Sequence, residues 1–334
     1  MLRYLYWTES VMKRAKILVT GASGFVGSAL VVRLASCVNY DVIAASRSES
    51  LNAPACVVVC KVDSLSRDTD YSNALVGVDV VVHVAARVHV MNDQASDPLA
   101  MFRLVNVEGT LNLARQAANG GVKRFVFLSS IKVNGEGGRK ALPFTPEDVP
   151  NPSDPYGVSK FEAEVGLRQI AEYSGMEVVI IRPPLVYGPG VKANFYTMMN
   201  WLNRGVPLPF GSIRNKRSFV AIDNLVDLIQ TCLEHPKAAN EVFLVSDGQD
   251  LSTTELLHHM AIALGKPAKL IPIPVWLMRA ASTILGKPSL SARLFDSLQV
   301  DISKTKALLN WVPPVKVEQA LDSTAQYFRK VHQA

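Results

Sequence analysis

Three residues carry the strongest chemical signal in this chain: Ser130 just beyond an apolar run, Tyr156 two residues after Asp154, and Lys160 four residues later. A phenol titrates at about 10 in isolation, so exchanging a proton near neutrality needs a positive neighbour that favours phenolate. On a helix the i, i+4 spacing places Tyr156 and Lys160 on one face, where the ammonium can be that neighbour. Ser130 would then hold a substrate oxygen against the phenol, and the set would move a proton at a carbinol or carbonyl while hydride moves at the adjacent carbon. A tyrosine and a lysine at this spacing also arise by chance, as a helix-start aromatic and a solvated amine, so the surrounding elements decide the matter.

Each of the three sits on a recognisable element. Residues 123–128 form an apolar run that predicts a strand, leaving Ser129 and Ser130 at its C-terminal end, the edge at which parallel sheets bind ligands. Asp154-Pro155 predicts a helix start, with Asp as cap and Pro in the first turn, so Tyr156 falls in that turn. The same pattern at Asp97-Pro98 predicts a helix running to Gly120-Gly121. Asn106 lies in its middle, where an amide competes with the backbone; holding a water or a backbone group near the site is the sharper expectation, solvent exposure the plainer one.

A cofactor place lies upstream. Ile17-Leu18-Val19 predicts a strand covered on both faces, and the apolar stretch 29–34 continues as a helix. Between them Gly21, Gly24 and Gly27 punctuate a turn that also holds Ser23, Phe25 and Val26. Gly21 permits the tight turn, Gly24 lets a pyrophosphate reach the backbone, Gly27 lets the helix lie close on the strand, and the helix start offers free N–H donors. The G-x-x-G-x-x-G spacing is one residue longer in its first gap than that of ordinary dinucleotide folds. An ordinary strand-turn-helix corner would also carry glycines, but the flanking elements favour a dinucleotide cradle.

The second strand, 40–45, ends in Ser46-Arg47-Ser48. An acidic residue there would hold the ribose 2′-OH of NAD, whereas a small residue followed by Arg suits a 2′-phosphate. NADP(H) is therefore favoured over NAD through Arg47, unless Arg47 is merely a solvated loop charge. The run 56–60 predicts a third strand, whose polar end Asp63-Ser64 could meet the adenine, with Cys56 and Cys60 as buried thiols. Residues 78–86 are too continuously apolar for a wet face and predict a central strand, in which Ala85 and Ala86 leave room for the cofactor. His83 within it is expected to be a packed core histidine, and His89 to lie in a loop beside the pocket.

Alternating strands and helices to residue 184 predict an α/β fold, a Rossmann doubly wound parallel sheet over 12–184, with residues 1–11 as an extension. Residues 185–330 change texture, with more proline and shorter strands, and predict a smaller mixed α/β substrate lobe; the helix near 223–235 is expected to return to the first domain.

The 334 residues are 49% hydrophobic and 19% charged, globular rather than disordered. A net charge of +6 with no block of five or more like charges argues against nucleic acid and for an anionic small molecule. The four cysteines include no C-x-x-C pair, so no metal site is expected. No apolar run reaches the length of a membrane span; the nearest, 270–285, is broken by Pro272, Pro274 and Arg279, so a soluble cytoplasmic protein with no membrane partner is expected.

With these residues in view, the chain resembles the extended short-chain dehydrogenase/reductases, among them the nucleotide-sugar epimerases, dehydratases and reductases. The resemblance rests on Thr20-Gly21-Ala22-Ser23-Gly24-Phe25-Val26-Gly27, His83-Val84-Ala85-Ala86, Asn106-Val107-Glu108-Gly109-Thr110, Ser129-Ser130, Tyr156-Gly157-Val158-Ser159-Lys160 and Arg182-Pro183-Pro184. It implies that Ser130, Tyr156 and Lys160 are the catalytic triad, with Asn106 in support and Pro183 at the cofactor. In the C-terminal lobe it implies that Arg217 grips a diphosphate, with Asn194, Phe195 and Arg293 near the nucleotide of a UDP-sugar. It also implies a homodimer paired through the helices that begin at Pro98 and Pro155.

Ser129-Ser130-Ile131-Lys132-Val133-Asn134-Gly135 and Ser297-Leu298-Gln299-Val300-Asp301 are similar to bacterial reductases of UDP-4-keto-6-deoxy-N-acetylglucosamine, enzymes of UDP-N-acetylquinovosamine formation for surface polysaccharide. Many members carry S-x-x-V-Y-G and R-x-x-N where this chain has Lys132-Val133-Asn134-Gly135 and Leu185, and Lys132 beside the sugar implies altered specificity. An NADPH-dependent 4-ketoreductase is thus the leading expectation. A UDP-glucose or UDP-N-acetylglucosamine 4-epimerase with tightly bound NAD uses the same residues. Dehydration is disfavoured because no acid pair follows Ser130, and a non-catalytic nucleotide sensor because Tyr156 and Lys160 are both present.

Overall fold

A computed structural model describes residues 14–48, 51–88, 97–137, 142–284 and 294–333. Residues 1–11, His89 and Arg293, each given a place above, lie outside them.

Apolar runs with no polar face become the strands of one sheet. β1 (Ala15–Thr20), β2 (Tyr40–Ser46), β3 (Val58–Lys61), β4 (Val80–His83), β5 (Arg124–Leu128), β6 (Glu177–Arg182) and β9 (Val242–Leu244) lie in the order β3-β2-β1-β4-β5-β6-β9. Every pairing in it is parallel. The order reverses between β1 and β4, and this switch point opens the crevice in which such folds hold nucleotides.

Helices cover both faces. α1 (Phe25–Ala35) and α6 (Ile222–Glu234) share one core with the sheet, where Leu30, Leu34, Leu225 and Ile229 meet Ile17 and Val19. On the other face, α3 (Thr110–Asn119) and α4 (Pro155–Ser174) bury Leu113, Ala117, Ala163 and Leu167 against Leu18, Val81 and Phe125. A separate core joins α5 (Ala193–Asn203), α7 (Thr253–Leu264) and α10 (Val317–Gln333) around Phe195, Leu257, Leu321 and Phe328, beside the pair β7 (Leu185–Tyr187) and β8 (Phe219–Ala221). α8 (Val275–Ile284) follows α7 in the chain, and α9 (Ser303–Leu309) buries Leu309 in the core shared by α1, α6 and the sheet.

The chain crosses back to the sheet more than once after residue 185. α6 lies on α1 through Arg33 Nε to Gln230 at 2.8 Å; β9 joins the sheet, and α9 fastens to it through Thr305 Oγ1 donating to the Leu244 carbonyl at 2.7 Å. The expectation of buried thiols at Cys56 and Cys60 is corrected: β3 is an edge strand, Cys56 is exposed and Cys60 half-buried. An apolar run signals a strand, but its place in the sheet decides burial. The helix expected from Pro98 onward divides into α2 (Pro98–Arg103), a π-helical turn (Leu104–Gly109) and α3.

Candidate active site

The glycine turn closes on itself with the Gly24 N–H donating to the Gly21 carbonyl at 2.9 Å. Gly21 has φ +68°, and a Cβ there would stand 2.8 Å from the Ala85 backbone. A Cβ on Gly27 would stand 2.1 Å from the Gly21 carbonyl oxygen, so only glycine lets α1 come this close to β1. α1 begins at Gly24 with no side-chain cap, which leaves the N–H groups of its first turn for an anion. The residues present therefore fit the pyrophosphate of a dinucleotide. Ser46 is buried at the end of β2 and accepts from the Ser48 N–H at 3.2 Å, while Arg47 is exposed beside it. Asp63 and Ser64 are exposed beyond β3, and the half-buried Ala85 and Ala86 follow β4 across from the glycines.

Behind this crevice His83 is fully buried and spans Thr20 Oγ1 at 2.7 Å and Thr110 Oγ1 at 2.9 Å. Burial, then the Lys160 charge, push its pKa down to about 3, so it stays neutral and ties β1, β4 and α3 together, as its place in an apolar run suggested.

Asp154 caps α4 by accepting the Gly157 N–H at 2.7 Å, which sets Tyr156 in the first turn. Ser130 lies near enough to the Tyr156 phenol to pull its pKa down, and the ring stands edge-on to Phe102 at 6.0 Å. Ser130 and Tyr156, 26 positions apart in the sequence, are thus brought together. Asn106, carried by the π-helical turn, accepts the Arg87 N–H at 2.8 Å and donates to the Arg87 carbonyl and to Ser159 Oγ, both at 3.0 Å. Ser159 in turn donates to the Tyr156 carbonyl at 2.8 Å, so Asn106 braces the helix bearing the phenol and holds backbone, as one reading of its mid-helix position predicted.

Lys160 departs from expectation. Its Nζ donates to the Leu128 carbonyl at 2.7 Å and lies 4.3 Å from the centre of the Phe127 ring. Burial pushes its pKa down to about 7, partly opposed by Glu164. The phenol of Tyr156 is pushed up from its ordinary value by burial and then by Asp154, with Ser130 pulling the other way. Lys160 is held on the strand end rather than on the phenol, so the acidifying charge expected from the i, i+4 spacing is spent on a carbonyl.

A buried network not signalled by the triad surrounds it. Arg182 and Glu164, 3% and 2% exposed, pair at 2.5 Å; Ser129 Oγ donates to Glu164 at 2.5 Å, and Arg182 donates to Asn134 Oδ1 at 2.9 Å. Glu164 is four residues beyond Lys160, so the progression 156, 160, 164 along one helical face was the available signal.

Of the remaining expected residues, Pro183 is buried and its carbonyl accepts the Ile131 N–H at 3.0 Å, which joins the end of β6 to the turn carrying Lys132. Lys132 is held by Asp154, so its charge is neutralised at the helix cap. Arg217 is half-buried and donates to the Asp296 carbonyl at 3.0 Å. Asn194 is exposed, whereas Phe195 stacks on Tyr187 at 5.2 Å inside the lobe core, leaving its backbone alone for a ligand.

A glycine cradle at the switch point, facing a serine–tyrosine pair with a buried lysine on the next turn, defines a dinucleotide-dependent oxidoreductase site. Residues 17–246 match the model of the NAD dependent epimerase/dehydratase family, and the chain belongs to that family. It is an NAD(P)-dependent enzyme, and its relatives include enzymes named for nucleotide sugars. It is 51% identical over 313 residues to a UDP-glucose 4-epimerase of Vibrio cholerae, covering 93% of this chain and 95% of the relative. A GDP-6-deoxy-D-mannose reductase of Pseudomonas aeruginosa is 28% identical, covering 92% and 94%. The solved UDP-glucose 4-epimerase of Thermotoga maritima with UDP-glucose superposes with a TM-score of 0.76 at 26% identity, covering 95% of this chain and 99% of that one.

Proposed function

We propose that the protein is a UDP-hexose 4-epimerase. The observation that carries this reading is the approach of Ser130 to the Tyr156 phenol at the sheet edge that also holds the glycine cradle, in a chain half identical to a UDP-glucose 4-epimerase. A bound nicotinamide supplies the acceptor and later the donor of hydride. As phenolate, the form that the positive charge of an oxidised nicotinamide would favour, Tyr156 takes the proton of the sugar 4-hydroxyl and, as phenol, returns it after the keto sugar has turned; Ser130 holds the same oxygen. Asn106 and Ser159 keep the first turn of α4 fixed while this happens.

The second reading is the 4-ketoreductase that the sequence first suggested, and the end of β2 supports it. Ser46 and Arg47 stand at the end of β2, with no carboxylate there among the described residues, which favours NADP(H) and a cofactor that is exchanged. A homodimer built on α2 and α4 accompanies either reading, since Met101, Leu104 and Val165 leave apolar side chains exposed there. Incubation of the purified protein with UDP-glucose and no added cofactor should yield UDP-galactose. NADPH consumption with UDP-4-keto-6-deoxy-N-acetylglucosamine, and no epimerisation, would transfer the assignment to the reductase.

A further inference from the structure

α8 is an apolar helix that hides none of its described side chains fully. Its inward positions by helical spacing, Val275, Met278 and Ser282, are half-buried. Its outward face is apolar as well: Trp276 is 69% exposed, Ile284 85%, and the adjoining Leu277 44%, with the exposed Ala280 between them. The turn that leads into α8 continues this surface. Ile271 is exposed there and hydrogen-bonds through its backbone to Leu208 at 2.8 Å, which places it beside the exposed Val206. A solvated helix normally turns polar residues outward, so an apolar outward face marks a surface that something covers.

The charge around it says what. From residue 256 to residue 295 the chain carries five Lys or Arg and no Asp or Glu. Residues 178–222 carry six more and again no acid, which leaves 24 basic against 29 acidic residues elsewhere. Lys266 and Lys269 are exposed in the turn before α8, and Lys269 Nζ lies 3.7 Å from where a Cβ on Gly205 would stand, next to the exposed Arg204. These three cations have no acidic partner among the described residues. An apolar helical face with tryptophan, bordered by unpaired cations, matches the interfacial helices that lie in the headgroup layer of anionic bilayers.

We propose that α8 and the turn before it form a docking surface for an anionic lipid bilayer, with Trp276, Leu277 and Ile284 entering the headgroup layer and Lys266, Lys269 and Arg204 meeting lipid phosphates. No described helix is long and apolar enough to cross a membrane, and lying on one requires no span. Pro272 and Pro274, which break the apolar run as a span, set the start of a helix lying in the plane.

Co-sedimentation of the full-length protein with vesicles of phosphatidylglycerol and phosphatidylethanolamine, against phosphatidylcholine alone, tests this. Wild type should partition onto the anionic vesicles and leave them as salt rises. Lys266→Ala/Lys269→Ala, two exposed positions, should weaken partition about twentyfold, from roughly fivefold per charge. Trp276→Ser/Leu277→Ser should weaken it at least about tenfold by removing apolar burial. Turnover of a soluble nucleotide sugar should stay at the wild-type level in both. No partition, equal partition onto neutral vesicles, or partition indifferent to both variants overturns the proposal. A change in sedimentation velocity without lipid binding would assign the face to a second copy, and a raised KM without it would make α8 a cover over the sugar site; either result also overturns the proposal.

Discussion

An arginine–glutamate pair stands at each end of strands β5 and β6, one between the strands and the other between β6 and α4, and the two pairs do different things. At the starting edge Arg124 and Glu177 are direct cross-strand partners, 2.6 Å apart, with Glu177 41% exposed. Arg124 also donates to the carbonyls of Cys232 and His235 at the end of α6. At the finishing edge Arg182 and Glu164 meet out of water, and Glu164 holds Ser129, the neighbour of Ser130. In the outer pair Glu177 can exchange its bonds with solvent while Arg124, 7% exposed, keeps two backbone carbonyls; neither member of the inner pair is open to water. The same side-chain types fasten two strands at one edge and, at the other, hold the hydroxyl of Ser129 beside Ser130.

The comparison can be broken most directly at Glu164. Glu164→Ala strands the Arg182 charge and should cost about 3–5 kcal/mol in urea unfolding; a loss near that of an exposed pair would make the two ends equivalent. Tyr156→Phe removes the group that the inner pair serves while leaving the pair intact. Turnover should fall by at least about a hundredfold with the unfolding midpoint unchanged, and wild-type turnover would refute the assignment of the proton carrier.

Lys160, one turn before Glu164, sharpens the contrast through pH. Its folded pKa of about 7 lies below the ordinary 10.5, so the unfolded chain binds more protons between those values. Stability from this group should therefore rise as pH is raised from about 7 towards 10.5 and be withheld below that window. Melting temperatures across this range should show a rise in wild type that is reduced in Lys160→Met. The smallest effect belongs to the outer pair: Arg124 is buried but keeps the carbonyls of Cys232 and His235, so Glu177→Ala should cost about 1–3 kcal/mol, less than Glu164→Ala, read by the same unfolding measurement.

Local patterns made the frame legible. Asp154-Pro155 placed Tyr156 in a first turn, the three glycines placed the cradle, and the first five sheet strands were visible as short, largely apolar runs. β9, three residues long, was not, because its strand character comes from pairing with β6 rather than from its own pattern. Glu164 and Asn134 were passed over for a related reason: a buried ion pair is chosen by what faces it across the fold, and Arg182 faces both from another strand. The π-helical turn escaped as well, since one asparagine signals that the helix is perturbed without saying how the backbone absorbs it.

By itself the order of residue types determined that a dinucleotide cradle, a strand-end serine and a Tyr–Lys helix face would exist, because turn geometry, capping and helical spacing act over a few residues. Only the tertiary structure decided that Lys160 serves a carbonyl, that Lys132 is neutralised by Asp154, and that Phe195 is core. Burial and the choice of partner are set by groups distant in the chain, and those are what control the charge and reach of a side chain.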